Sequence, residues 1–152
     1  MLITIKENYK MSENNNEKIK VLLFRPGEYA RTVEIDDSLE GMKEAVGGWI
    51  EEYMPFEDDV AIVCNEEGKL QGLEFNRAIF DDEGQLLDVI AGDFFIAYAP
   101  PESEKYLSIT PELEKKYTEK YGKPERIFFN GHDFESIKYD PDKNERSKDF
   151  ER

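Results

Sequence analysis

The sequence has few of the residues that build disulfide frameworks, metal centres and membrane spans. Its 152 residues include one cysteine, one histidine and one tryptophan. One cysteine cannot form an internal disulfide, and a single cysteine with a single histidine argues against a zinc site of the Cys/His type. No apolar run approaches the roughly 18 residues of a membrane-spanning helix. We therefore expect a protein with no cofactor, no metal and no place in a membrane.

Positive charge is also scarce. The chain has 20 Lys and Arg residues against 35 Asp and Glu residues, a net charge of −15. Bare nucleic acid and anionic membrane surfaces attract Lys and Arg, so this balance argues against direct binding to either. Aromatic residues make up 12% of the chain, which is too many for a disordered protein. The single Cys64 and the lack of a secretory signal fit a cytoplasmic protein.

The polar and charged ends of the chain set its predicted domain boundaries. We expect a flexible N-terminal segment at residues 1–18, in which Met11 is either the true start of the protein or part of a linker that follows a short strand at residues 2–6. A single α+β domain is expected over residues 19–139, because the length suits one hydrophobic core. Residues 140–152 are nearly all polar and are expected to form a charged tail.

Apolar patterning predicts the elements of the first half of the domain. Residues 19–24 and 31–35 read as two strands joined at Pro26-Gly27. Asp37 is the expected N-cap of a helix that runs to Tyr53, with Glu40 as its capping-box partner. Gly47-Gly48 would then lie in mid-helix, either for close packing against the sheet or to leave the backbone bare for a ligand.

The second half predicts an antiparallel meander over residues 60–98, including a returning strand at residues 69–73. Thr110-Pro111 begins a second helix that ends near Tyr121. Asn130-Gly131 then marks a final strand pair. The predicted fold class is α+β, with a small antiparallel sheet packed by an amphipathic helix, a second helix and a C-terminal strand pair.

The negative charge is concentrated in the middle of the chain. Residues 34–104 contain 20 acidic and three basic residues, whereas the flanking regions are close to neutral. Such a surface either keeps the protein soluble or forms an electrostatic face for a basic partner. Six acids are the first candidates for that partner-binding face: Glu51, Glu52, Asp58, Asp59, Asp81 and Asp82.

Motifs for catalysis are missing, which favours a protein that is not an enzyme. There is no phosphate-binding glycine loop, no HExxH and no EF-hand spacing, and His132 follows a turn as an expected bystander. Arg77 is the only arginine in the acidic middle segment. It could be a salt-bridge hub, or it could form an anion clamp with Asn65 and Asn76.

An ordered series of short motifs resembles one protein family. The motifs are residues 46–51 (VGGWIE), residues 63–70 (VCNEEGKL), Gly72-Leu73, Asn76-Arg77 and residues 90–95 (IAGDFF). Together they are similar to the domain of unknown function 3846 family, over residues 19–98 and more loosely through residues 110–121. Glu74-Phe75 stands where the family pattern has Pro-Pro. The resemblance implies a phage, plasmid or conjugative-element origin and no particular activity.

Two functional hypotheses follow. The first is a non-enzymatic acidic binding protein of a phage or mobile element, in the bacterial host cytoplasm, that engages a basic surface of a host protein in counter-defence. The alternative is a binding or sequestering protein for a nucleotide-like small molecule, using Asn65, Asn76 and Arg77. A net charge of −17 over residues 34–104 opposes anion binding, so the first is preferred.

Overall fold

The structure, a computed structural model, describes residues 17–141. The strands are β1 (Lys18–Phe24), β2 (Arg31–Asp36), β3 (Ile50–Tyr53), β4 (Val60–Asn65), β5 (Phe75–Phe80), β6 (Leu86–Ala91), β7 (Phe94–Tyr98), β8 (Glu125–Phe129) and β9 (Phe134–Lys138). The helices are α1 (Leu39–Val46) and α2 (Pro111–Tyr121). The predicted α+β class is confirmed, including the second helix and the C-terminal strand pair.

A five-stranded antiparallel sheet in the order β2-β1-β7-β4-β3 forms the middle layer. Alternate side chains on β1 point to opposite faces, as the pleat requires. Val21 and Leu23 pack with Met42 and Val46 of α1 on one face. On the other face, Phe24 joins a second core with the β5–β6 hairpin and α2. The sheet is therefore covered on both sides, by different kinds of structure.

The first helix is shorter than predicted. Ser38, and not Asp37, is the N-cap, because the Ser38 hydroxyl accepts the N–H of Gly41 at 3.0 Å. The helix ends at Val46 because Gly47 takes a left-handed conformation with φ +79°. The prediction of a helix to Tyr53 was therefore wrong, and residues 50–53 instead pair with β4.

The predicted meander was wrong in its connectivity. β4 pairs with β7, and β5 pairs only with β6 as a separate two-stranded sheet. Residues 69–73 are not a strand but part of a tight turn, in which the Leu73 N–H donates to the Gly68 carbonyl. The Asn65 side chain stabilises that turn by accepting the Glu67 N–H at 2.8 Å.

The remaining elements follow the sequence expectations. The Thr110 side chain caps α2 by accepting the Leu113 N–H, and Pro111 occupies the first turn. The predicted first hairpin is confirmed by the pairing of β1 with β2. The expected strand at residues 2–6, most of the flexible segment and residues 142–152 of the charged tail lie outside the described residues, whereas Lys18 begins β1.

Candidate functional site

The antiparallel order places several acidic loops at one end of the sheet. β1 begins there, β2 ends opposite it, and Val60 at the start of β4 pairs with Tyr98 at the end of β7. The β5–β6 turn reaches the same end, because Asp82 lies 3.8 Å from Lys120 and Asp58 lies 2.6 Å from Lys116, one helical turn away on α2. We call this region the acidic end. Its acids are Asp36, Asp37, Glu57, Asp58, Asp59, Asp81, Asp82, Glu83, Glu102 and Glu104.

Four of the six predicted partner-binding acids lie at the acidic end: Asp58, Asp59, Asp81 and Asp82. Glu51 lies nearer the opposite end of the sheet, where it pairs with Cys64 and is exposed. Glu52 is buried at 4% exposure and accepts the Tyr106 hydroxyl proton at 2.5 Å. The six acids therefore do not form one surface, and Glu52 is not presented to a partner.

Asp58 is held by two donors from α2. Its Oδ2 atom accepts from Lys116 Nζ at 2.6 Å and from the Tyr117 hydroxyl at 2.8 Å. These bonds lower the pKa of Asp58 below its usual value. The same contact raises the pKa of Lys116, while burial and then the bond to Asp58 raise the pKa of Tyr117. Asp58 thus fastens the β3–β4 loop to α2.

Asp81 and Asp82 have different surroundings within one turn. The Asp81 carboxylate accepts the N–H groups of Glu83 and Gln85 at 2.9 and 2.8 Å, which fixes the turn. Asp82 is exposed and has a long ion pair with Lys120. Asp59 is also exposed. Asp59 and Asp82 are therefore the predicted acids most available to a partner at this end.

Arg77 is a positively charged residue that is fully buried in this acidic protein. Its guanidinium donates only to uncharged oxygens, namely the carbonyls of Arg25, Glu28, Asn76, Tyr121 and Gly122 and the amide Oδ1 of Asn76. Burial lowers the pKa of Arg77 to about 10, and the nearby charge of Glu125 opposes that shift. None of the ion pairs within residues 17–141 includes Arg77. Arg77 joins the β1–β2 loop, β5 and the end of α2.

The three residues of the predicted anion clamp are not brought together. The Asn76 amide donates to the carbonyls of Phe24 and Gly92, and its oxygen accepts from Arg77. Asn65 instead donates to the Val46 carbonyl at the end of α1 and bonds to Gln71 and Glu67 in the β4–β5 turn, and it shares no hydrogen-bond partner with Asn76 or Arg77. An anion at Arg77 would have to displace carbonyls that already bind every part of the guanidinium.

The short motifs of the sequence meet at the end of the sheet opposite the acidic end. A Cβ on Gly48 would lie 2.8 Å from Asn65 Nδ2, and a Cβ on Gly68 would lie 2.6 Å from the Ala91 carbonyl oxygen. Gly48 is therefore kept for close packing, as one of the two interpretations of the glycine pair proposed, although it lies outside the helix. The motifs form a packed junction around the start of β5.

Residues 17–141 bring together no group of three or more His, Cys, Asp or Glu side chains that could hold a metal ion. In the same part of the chain, no helix is long and apolar enough to span a membrane.

Asp37 is the residue at the acidic end that sequence reasoning misassigned. It was expected to cap α1, but its side chain is buried and lines a cleft beside residues 102–108. The neighbouring acids and serine at residues 36–38 are all acceptable N-caps, so the sequence offers no signal that singles out Asp37.

Comparison with known proteins places most of the chain in a family. The model of a family described as Domain of unknown function (DUF3846) matches residues 19–122. No curated protein matches the chain, and no solved structure matches it. The matched residues run from β1 to the end of α2 and include the junction of short motifs and Arg77. The chain belongs to the DUF3846 family.

Proposed function

We propose that this protein is a non-enzymatic binding protein that presents its acidic end to a basic surface of a partner protein. The observation that carries the proposal is the meeting of four segments at one end of the sheet. They are the acidic loops at residues 36–38, 57–59 and 102–108 and the β5–β6 turn at residues 81–85. Lys105 is the only basic residue within these four segments. Carboxylates concentrated in this way steer a basic partner and fix its orientation.

The fuller form of the proposal concerns the biological setting. The protein comes from a phage or mobile element and acts in the cytoplasm of a bacterial host. Its partner is a host protein whose basic surface normally binds nucleic acid, and covering that surface serves counter-defence. The resemblance to a family of mobile elements and the lack of catalytic motifs support this setting.

The test compares two variants with equal changes in charge. The first reverses four exposed acids at the acidic end, Glu57, Asp59, Asp82 and Glu83, to lysine. The second reverses four exposed acids elsewhere, Glu40, Glu44, Glu66 and Glu67. Asp58 and Asp81 are left unchanged because their carboxylates bind neighbouring groups in the fold.

Poly-L-lysine serves as the probe, titrated at low and at high salt. We expect the first variant to lose affinity about tenfold more than the second, because only the first removes the clustered field. Host-lysate proteins captured by the unmodified chain should show the same order. Equal losses for the two variants would show that net charge alone is responsible, and the proposal would fail.

The alternative of a nucleotide-sequestering protein gains no specific support. The donors of Arg77 are taken by the protein, and Asn65 lies in a different hydrogen-bond group. The acidic-end proposal is therefore the one carried forward.

A further inference from the structure

A cleft of about 1050 Å³ opens at the acidic end. It lies between the start of β1 and the loop at residues 102–108, and its lining includes Lys18, Asp37, Glu102 and Lys105. Glu102 is exposed on the rim. Within residues 17–141, the cleft opens to the surface and has carboxylates on both of its sides.

Asp37 is the unusual residue of this cleft. Its backbone N–H donates to the Glu17 carbonyl at 2.8 Å, which holds the residue in place. Its side chain is only 8% exposed. The Oδ2 atom lies 3.9 Å from Lys105 Nζ, which is longer than a hydrogen bond. For the Oδ1 atom, no hydrogen-bond donor is found among residues 17–141.

A buried carboxylate oxygen without a donor is unfavourable, because desolvation is not offset by a hydrogen bond. The group that corrects this deficiency is a cation with several N–H donors. A guanidinium can donate to both oxygens of one carboxylate, and an alkylammonium can donate to either. A bare metal ion fits less well, because the described residues bring no set of three ligating side chains together.

We propose that this cleft binds an arginine or lysine side chain of the partner, with Asp37 as the residue that holds the cation. The incoming group takes the place of Lys105 beside Oδ2 and also supplies a donor to Oδ1. Glu102 on the rim adds a second negative charge. That the cation belongs to a partner protein rests on the proposed function, whereas the binding of a cation by Asp37 does not.

The experiment uses the full chain and N-acetyl-L-arginine amide as the probe. Addition of the probe should shift the backbone amide NMR signals of Asp37 and of residues 102–105. N-acetyl-L-citrulline amide has nearly the same shape without the charge and should leave them unmoved. Equal shifts from both compounds, or shifts spread over every acidic loop, would overturn the site.

Variants separate a role in binding from a role in stability. Asp37→Asn keeps the shape and should weaken the arginine compound about tenfold, whereas Glu83→Gln, at the same end, should change it less than about twofold. Lys105→Met removes the competing internal cation and should tighten binding a few-fold. A merely structural Asp37 predicts no such tightening, so unchanged or weaker binding by Lys105→Met contradicts the proposal even where Asp37→Asn folds poorly.

Two further outcomes distinguish this inference from the proposed function. Poly-L-lysine binding that depends on the acidic end but not on Asp37 would overturn the cleft and leave the proposed function intact. Arginine-amide binding that depends on Asp37, in a chain that does not bind poly-L-lysine, would support the cleft and refute the proposed function. Spermidine is the third probe. If the chain does not bind poly-L-lysine and spermidine displaces the arginine compound from it, the cation comes from a polyamine. That result rejects a side chain of the partner as the ligand.

Discussion

The two ends of the sheet use charge in opposite ways. At the end where the short motifs meet, Arg77, the one buried cation among residues 17–141, is surrounded by carbonyl oxygens from three parts of the chain. At the acidic end, Glu57, Asp59, Asp82 and Glu83 are exposed, and the ion pair of Asp82 with Lys120 is long, at 3.8 Å. The first arrangement stabilises the fold, because a fully bonded buried cation is costly to remove. The second leaves negative charge at the surface, where our proposal has it meet a basic partner.

Removal of the buried cation should have the largest effect. Arg77→Met removes the guanidinium from five carbonyls and the Asn76 amide oxygen, although the Arg25 and Gly122 carbonyls keep a backbone donor. We expect the free energy of unfolding to fall by about 4 kcal/mol or more, measured by urea denaturation. Arg31→Met is the control, because Arg31 is exposed and its ion pair with Glu28 is long, at 3.9 Å. This variant should lose less than about 0.5 kcal/mol of the free energy of unfolding. Similar losses for both would remove the contrast between the ends.

A smaller effect is expected from crowding at the motif junction. A Cβ at Gly68 would lie 2.6 Å from the Ala91 carbonyl oxygen, which is part of the backbone and cannot move aside. Gly68→Ala should therefore cost about 2 kcal/mol in thermal or urea unfolding. Gly48→Ala meets the Asn65 side chain, which can shift, and should cost less. A larger loss for Gly48→Ala would mean that Asn65 is the more rigid element.

The smallest effect tests Asp58, an acid of the acidic end whose carboxylate binds two side chains of α2. Asp58→Asn should lower stability at neutral pH by about 1 kcal/mol, because Lys116 loses its charged partner. The pKa of Asp58 is lowered in the folded state, so its contribution is complete above the unfolded value near 3.9. That contribution disappears as the pH falls through the folded pKa.

The free energies of unfolding of the unmodified chain and of Asp58→Asn should therefore become equal in acid. Unfolding curves recorded at neutral pH and at progressively lower pH measure this. The exposed neighbour supplies the control, and Asp59→Asn should change stability by less than about 0.5 kcal/mol at every pH. A difference for Asp58→Asn that stays constant into strong acid would show that the ion pair is not its cause.

Local patterns predicted most elements of the fold but not how they join. Met42, Val46 and Ile50 are spaced as on a helix, yet Ile50 is buried as part of a strand that pairs with β4. The left-handed conformation of Gly47 decides between these outcomes, and tertiary pairing makes it favourable. Similarly, the meander predicted over residues 60–98 spans β4 to β7, but the pairing of β4 with β7 depends on contacts far apart in the chain.

The same limit applies to the candidate site. Counting charges along the sequence located the acids in residues 34–104, but only the packing of α2 against both segments brings the loop at residues 57–59 near the turn at residues 81–83. Asp37 shows what the sequence could not predict about the cleft. Ser38 caps α1 in its place, and the Asp37 side chain is buried instead of lying at the helix start.

The β8–β9 hairpin lies beyond the residues that match the family but packs against residues within them. The family match ends at residue 122, yet Glu125 accepts the Ala78 N–H at 2.9 Å and Phe134 packs edge-on against Phe75 at 5.3 Å. A fragment trimmed to the matched residues would leave β5 with an unmet donor and an uncovered aromatic ring. Similarity to relatives therefore marks a shorter unit than the one whose parts depend on each other.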